Sequence, residues 1–468
     1  MTAIWTAEEV AGATGGRIAS NWVASGISID TRTLAPGDLF VALEGPNRDA
    51  HNFVADALDR GAAAAVVSRI PEAVDDRSAL VLVDDTQAAL EGLGRAGRAR
   101  TTARIAGVTG SVGKTGTKEA LRYVLARQAP SYASAASYNN HWGVPLSLAR
   151  LPEAASFGVL EMGMNHAGEI EALTALVRPH VALITTVAPA HLEFFPSVEA
   201  IADAKSEIFQ GLEPGGVAVI NRDNEHYARM RAHAERSRAG RIVTFGRHPG
   251  ADWRLDGLRL APEHSEVVAV RGGRRYAYRL GVPGEHLVLN SLAVLAVAEA
   301  LGADVARAAG TLGELRASAG RGERRRIDAC GGEALLLDES YNANPASMRA
   351  ALAVLGQSPG RRIAVLGDML ELGEMAGDLH AGLADAVESA GIALVFTCGP
   401  AMARLHDALP AMRRGVHADD AAALAPAVRD AVRPGDVVLV KGSLGSRMAR
   451  VVAALTGSGV PAAARAAS

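Results

Sequence analysis

The chain has 468 residues, of which 49% are hydrophobic and 21% charged, a length that exceeds a single hydrophobic core and implies two or three globular units. A formal net charge of −3, no long basic run and only 4% aromatic residues argue against nucleic acid or a membrane surface as partner. Cys330 and Cys398, the two cysteines, form no CxxC, the N-terminus lacks the pattern of a secretory signal, and no apolar run is long enough to span a membrane, so a reduced, cytoplasmic protein is expected.

Three α/β segments follow one another. Residues 1–98 contain two extended patches, 26–43 and 62–68, with a Pro36-Gly37-Asp38 turn ahead of the apolar run 39–43. Residues 99–317 carry short apolar runs at 104–109, 157–161, 181–187 and 217–220 that alternate with helix-length stretches. Runs of this kind fit buried parallel strands in βαβ units. Residues 254–282 read as strands and turns, of either an antiparallel edge or a subdomain, and a helix over 287–301 closes the segment. The cluster Gly320-Arg321-Gly322-Glu323-Arg324-Arg325-Arg326 reads as a hinge region. Beyond it, runs at 334–339, 362–368, 393–399 and 436–442 predict a doubly wound, Rossmann-like domain over 318–468. Val460 to Ser468 reads as a frayed tail.

The first chemistry-bearing motif is VTGSVGKT, residues 108–115. It follows a strand and precedes a helix over 114–127, the context of a phosphate cradle. It lacks the first glycine of the usual P-loop pattern, because position 108 is valine. Gly110 and Gly113 let backbone N–H groups approach phosphates. Lys114 can reach the terminal phosphate oxygens, and the Thr115 hydroxyl can serve Mg²⁺.

Glu161 ends the strand FGVLE, at the edge where open α/β sheets bind ligands. It is either a cation ligand or a solvated strand end. His191 lies in a similar loop, and by itself is weak evidence. Lys205 falls on the apolar face 198, 201, 205, 208, 212 of the stretch SVEAIADAKSEIFQGL. It is either ion-paired or snorkelling, or a lysine with an altered role such as carbamylation, which needs the neutral amine. Asp338-Glu339-Ser340-Tyr341-Asn342-Ala343-Asn344-Pro345, GDMLELG (367–373) and KGSLGSRM (441–448) place three polar strand ends on one sheet edge. Asparagine turns alone would explain only part of that.

Taken together, the loop Thr109–Thr115, SYNANP (340–345), GDMLELG, KGSLGSRM, NNHWGVPLSL (139–148) and SIDTRTLAPGDLFVAL (28–43) resemble the Mur ligase family over nearly the whole chain. The family's P-loop, T-G-[ST]-x-G-K-[ST], also lacks the early glycine. SYNANP resembles the form found in the member that adds D-alanyl-D-alanine. The resemblance implies a small N-terminal α/β domain for the UDP substrate, a central P-loop domain, and a Rossmann-like domain that closes over ATP and binds the incoming dipeptide.

It further implies ATP-dependent ligation of D-Ala-D-Ala to UDP-N-acetylmuramoyl-tripeptide through an acyl phosphate, by a monomer. Thr109, Gly110, Ser111, Val112, Gly113, Lys114, Thr115, Asn290, Arg321, Asp338, Tyr341, Asn342 and Asn344 would bind ATP. Thr115, Glu161, His191 and a carbamylated Lys205 would serve two Mg²⁺ ions. Lys114, Lys205 and His191 would be catalytic. Asp30, Thr31, Arg32, Asn139 and Asn140 would contact the UDP-muramoyl peptide. Glu339, Leu287 and Ala50 depart from the family's usual residues. Another Mur-type or folylpolyglutamate-type ligase is the alternative, and outside the family a P-loop nucleotide switch.

Overall fold

In the computed structural model, which describes residues 3–75, 79–135 and 137–458, three main sheets succeed one another along the chain. The tail expected over 460–468 lies outside the described residues. The first sheet holds β1 (Arg17–Ile18), β2 (Gly26–Ser28), β3 (Asp38–Val41), β4 (Ala64–Val67) and β5 (Leu80–Leu82) in the order β1-β5-β4-β3-β2. Only β1 is antiparallel to its neighbour. The patch 26–43 is therefore two strands rather than one. A turn in which Thr33 N–H donates to Asp30 O at 3.1 Å separates them.

Helix α1 (Thr86–Arg100) follows, its first turn capped by the Asp85 carboxylate, and it runs past residue 98, the expected end of the first segment. The second sheet is built from β6 (Arg104–Thr109), β7 (Ser131–Ala133), β8 (Phe157–Glu161), β9 (Val181–Ile184), β10 (Gly216–Asn221), β11 (Ala239–Gly246), β12 (Trp253–Leu260), β13 (Ser265–Arg271) and β14 (Arg274–Leu280). Their order is β7-β8-β6-β9-β10-β11-β12-β13-β14. Strands up to β12 pair in parallel, and the last two pairings are antiparallel. Every residue of β9 and β10 is buried, as a sheet covered on both faces requires. Helices α2 (Lys114–Ala126), α3 (Gly143–Ala149), α4 (Val198–Ser206) and α5 (Glu285–Ala300) belong to this unit. Apolar residues of α2 and α5 fill one face, and those of α3 and α4 the other.

Helix α1 packs on α3 with direct backbone approach at two glycines, flanked by Leu90, Leu93, Leu146 and Ala149 in one buried cluster. A Cβ on Gly97 would lie 2.3 Å from Leu148 O, and one on Gly94 would lie 3.0 Å from Pro145 Cα. The Trp5 indole donates to Ala149 O at 3.0 Å and adds a second tie between the first two units.

The third sheet holds β15 (Glu323–Ala329), β16 (Gly332–Glu339), β17 (Arg362–Gly367), β18 (Leu394–Cys398), β19 (Arg414–Ala418) and β20 (Val437–Lys441), ordered β15-β16-β20-β17-β18-β19. All pairings but β15 with β16 are parallel. Here the structure corrects the expected hinge. Glu323–Arg326 forms the start of β15, and Gly320–Gly322 is bonded into the same unit. Gly320 N–H donates to Asp338 Oδ2 at 3.2 Å, Tyr341 N–H to Gly320 O at 3.0 Å, and Gly322 N–H to Asp338 O at 2.8 Å.

Candidate active site

Strand β6 lies between β8 and β9, parallel to both. The loops that leave their carboxyl ends therefore emerge side by side, which brings the 110–113 loop, Glu161 and residues 185–191 to one edge. The loop is anchored on the 185–188 segment. Ser111 N–H donates to Thr186 O at 2.8 Å, Ser111 Oγ to Ala188 O at 2.9 Å, and Thr185 Oγ1 to Val112 O at 2.5 Å. The residues 185–187, expected as strand, are thus the floor of the loop. Gly113 opens α2 with φ 86°, and a Cβ there would sit 2.6 Å from Asn290 Nδ2 on α5. Only glycine takes this backbone without strain.

Lys114 Nζ donates to Gly110 O at 2.7 Å. Desolvation holds its pKa below the usual lysine value, Glu161 works against that shift, and Arg321 reinforces it. Thr115 Oγ1 donates to Glu161 Oε2 at 2.8 Å, and Asn139 Nδ2 to Glu161 Oε1 at 2.8 Å. Lys205 is 1% exposed. No hydrogen bond or ion pair joins it to any described residue, so the ion-paired reading of the sequence does not hold. Burial drives its pKa well below the usual lysine value, Lys114 adds to this, and Glu207 opposes it. Burial thus favours the neutral, nucleophilic form of the amine over the ammonium.

Across a cleft of about 400 Å³ the third unit faces this loop with Arg321, Glu339, Tyr341, Asn342, Asn344 and Lys441. The Arg321 guanidinium stacks 3.9 Å from the Tyr341 ring centroid and donates to Ser137 Oγ at 3.0 Å. Lys441 Nζ lies 3.3 Å from Glu339 Oε2 and donates to Asn342 O at 3.0 Å. Asn344 caps helix α6 (Pro345–Gly356), its Oδ1 accepting from Ser347 N–H at 2.9 Å. Asn290, His286 and Leu287 complete the wall.

A second cleft of about 260 Å³ lies beyond Lys114, lined by Asn342 to Asn344, His191, Glu371 and Ser443. His191 Nδ1 and Glu371 Oε2 are 2.6 Å apart there, off the line of the ring N–H.

Several expected residues stand elsewhere. Asp338 is not in the cleft wall. Its carboxylate accepts from Gly320 N–H at 3.2 Å, Ser340 N–H at 3.1 Å and Ser340 Oγ at 2.6 Å, so it braces the turn behind it. Thr109 is buried at the end of β6. Asn140 accepts from Trp142 and Gly143 N–H groups at the start of α3. Arg32 folds back on Asp30, with Nη2 2.7 Å from Oδ2, and this turn with Thr31 lies in the first unit, in neither cleft wall. Among the described residues, no three His, Cys, Asp or Glu side chains form a metal cluster. Thr115 and Glu161 touch, whereas His191 lines the second cleft. Sequence reasoning missed Ser137 altogether. It noted Glu371 and Lys441 only within polar strand ends, and Glu339 there and as a departure from the family's usual residue.

Comparison with known proteins places this geometry in context. Residues 23–98, 108–298 and 320–444 match the family models described as Mur ligase family, catalytic domain; Mur ligase middle domain; and Mur ligase, glutamate ligase domain. A UDP-N-acetylmuramoyl-tripeptide–D-alanyl-D-alanine ligase of Rickettsia prowazekii is 31% identical over 450 residues, covering 96% of this chain and 99% of that one. Among solved structures, MurF from Acinetobacter baumannii matches with a TM-score of 0.86 at 32% identity, over 96% of this chain and 98% of that one. The MurF ligase from Thermotoga maritima in complex with ADP matches with a TM-score of 0.77 at 28% identity, over 92% and 96% of the two chains.

Proposed function

The chain belongs to the Mur ligase family, and we propose that it joins D-alanyl-D-alanine to the terminal carboxylate of UDP-N-acetylmuramoyl-tripeptide, converting ATP to ADP and phosphate. One observation carries the reading beyond family membership. Lys114 stands between two clefts, one shared with Asn290 and Tyr341, the other with His191 and Ser443. A phosphate-binding lysine so placed can touch a nucleotide on one side and an acyl group on the other.

In this reading the N–H groups of the 111–115 loop and Lys114 hold the phosphates, and Asn290 meets the adenine. Arg321 and Tyr341 cover the nucleotide from the third unit. A carboxylate oxygen of the tripeptide attacks the γ-phosphorus, and the bond to ADP breaks. The amine of the dipeptide then attacks the acyl carbon and loses its proton as phosphate leaves. Asp30, Thr31, Arg32, Asn139 and Asn140 serve the UDP-muramoyl peptide, and the second cleft receives the dipeptide.

The oxygen donors Thr115 and Glu161, 2.8 Å apart, suit a hard cation. Mg²⁺ bound there would neutralise charge on the transferred phosphoryl group. Lys205, a buried amine without a partner, suits addition to carbon dioxide. The product is a carbamate and a released proton, and its two oxygens would supply further hard ligands for a cation. His191 completes the set on the side of the second cleft.

The test is phosphate release with UDP-muramoyl-tripeptide and D-Ala-D-Ala omitted in turn. Release should require both. Equal release with neither would overturn the reading in favour of a nucleotide switch.

A further inference from the structure

Ser137 sits in the loop between β7 and α3, and its hydroxyl joins two parts of the molecule that belong to different sheets. Arg321 Nη2 donates to Ser137 Oγ at 3.0 Å. Ser137 Oγ lies 3.5 Å from Thr115 Oγ1, and Thr115 Oγ1 donates to Glu161 Oε2 at 2.8 Å. A guanidinium has no acceptor and a carboxylate has no donor. The donor order is therefore fixed by its ends: Arg321 to Ser137, Ser137 to Thr115, Thr115 to Glu161. The Ser137–Thr115 step, at 3.5 Å, is the longest of the three and the one that a shift of Ser137 would tighten or break.

The two ends differ in what holds them. Glu161 at the end of β8 and Thr115 in the first turn of α2 are both buried in the second unit. Arg321 is carried by the third unit, stacked on Tyr341 and next to Gly320, whose N–H and C=O are both bonded to that unit. Ser137 thus meets the guanidinium only when the third unit is in its present place. With Arg321 as donor, the Ser137 proton is left over for Thr115. Without it, that hydroxyl is free to rotate.

We propose that Ser137 is a positioning residue that makes nucleotide binding at Thr115 and Glu161 depend on the position of Arg321. The proposal rests on the ATP-binding reading above. It adds a route by which docking of the third unit is felt at the phosphate loop.

The experiment is a double-mutant cycle read by calorimetric ADP binding to the full chain with Mg²⁺ and without peptide substrates. Ser137→Ala should weaken ADP about tenfold, the size expected for a hydrogen bond to a charged group. In an Arg321→Ala background the same substitution should cost less than about twofold. Ser137→Thr, which keeps the hydroxyl, should restore most of the affinity. An equal loss in both backgrounds, or no loss in either, overturns the coupling. Thermal unfolding of Ser137→Ala separates misfolding from lost coupling. If the unsubstituted protein fails to bind ADP, the nucleotide site itself is refuted, and the coupling with it.

Discussion

His191 and Glu371 meet 2.6 Å apart across the junction of the second and third sheets, and both have left-handed backbone, with φ of 59° and 63°. For a residue with a Cβ that conformation costs roughly 1–2 kcal/mol. Glu371→Gly relieves the strain and deletes the contact. Its thermal midpoint should equal or exceed that of the unsubstituted protein while ligation slows about tenfold, the cost of about 1.4 kcal/mol. Unchanged turnover would mean that the contact has no part in the reaction.

Gly113→Ala should damage the nucleotide site more than the fold. The new methyl meets Asn290 Nδ2 at 2.6 Å, and φ is 86°. Strain of roughly 1–2 kcal/mol should lower the thermal midpoint by a few degrees. Displacement of both the loop and Asn290 should weaken ADP by more than tenfold in calorimetry. Intact ADP affinity would contradict the assignment of this loop.

The role proposed for Lys205 sets stability against chemistry. Its folded pKa lies well below 10.5, so between the two values the unfolded chain binds the extra proton and stability rises with pH. Lys205→Met should abolish that slope in carbon dioxide-free buffer and gain about 1–3 kcal/mol at neutral pH. It should also lose ligation. Lys205→Ala should lose ligation and regain part of it with added short carboxylates. A carbamate resonance from ¹³C-labelled carbon dioxide should be present in the unsubstituted protein and absent from both variants. Full activity of the alanine variant would refute the carbamate.

Asp49 gives the first unit an acid limit. Burial alone would raise its carboxyl, but the N–H and ring of His51 and the Arg69 guanidinium outweigh it and lower the pKa to about 2. The folded pKa is below the ordinary value of 3.8, so this contribution is complete above that value and disappears as pH falls through about 2. Asp49→Asn should remove it at every pH, flattening acid unfolding of the first unit between those limits. An unchanged acid transition would disprove the role.

These residues also mark what the sequence makes readable. Strands β6, β8, β9 and β10 stand out because both faces are buried along most of their length and their central residues are apolar. β15 does not, because its Arg324-Arg325-Arg326 segment reads as charged linker while its backbone pairs along β16. The burial of Lys205 follows from helical spacing. Asp338 and Glu339 show the limit at the site: neighbours in a strand point to opposite sides, and Glu339 rather than Asp338 reaches the cleft. Contacts such as Arg321 with Ser137, 184 positions apart, leave no local pattern. The same holds for Glu371 with His191.

The backbone contact of α1 with α3 has a mechanical consequence. Gly94 and Gly97 let the first unit lie directly on the second, and a buried cluster shared by Trp5, Leu90, Leu93, Leu146 and Ala149 locks the two against slipping. With Gly320 fixed to the third unit, compliance is confined to the few residues ahead of it. The molecule should therefore move as two bodies with a single pivot, not three. Brief proteolysis should nick it once, near residues 316–319, and release the first two units as a single fragment. An early cut between α1 and β6 would show that the first unit moves independently.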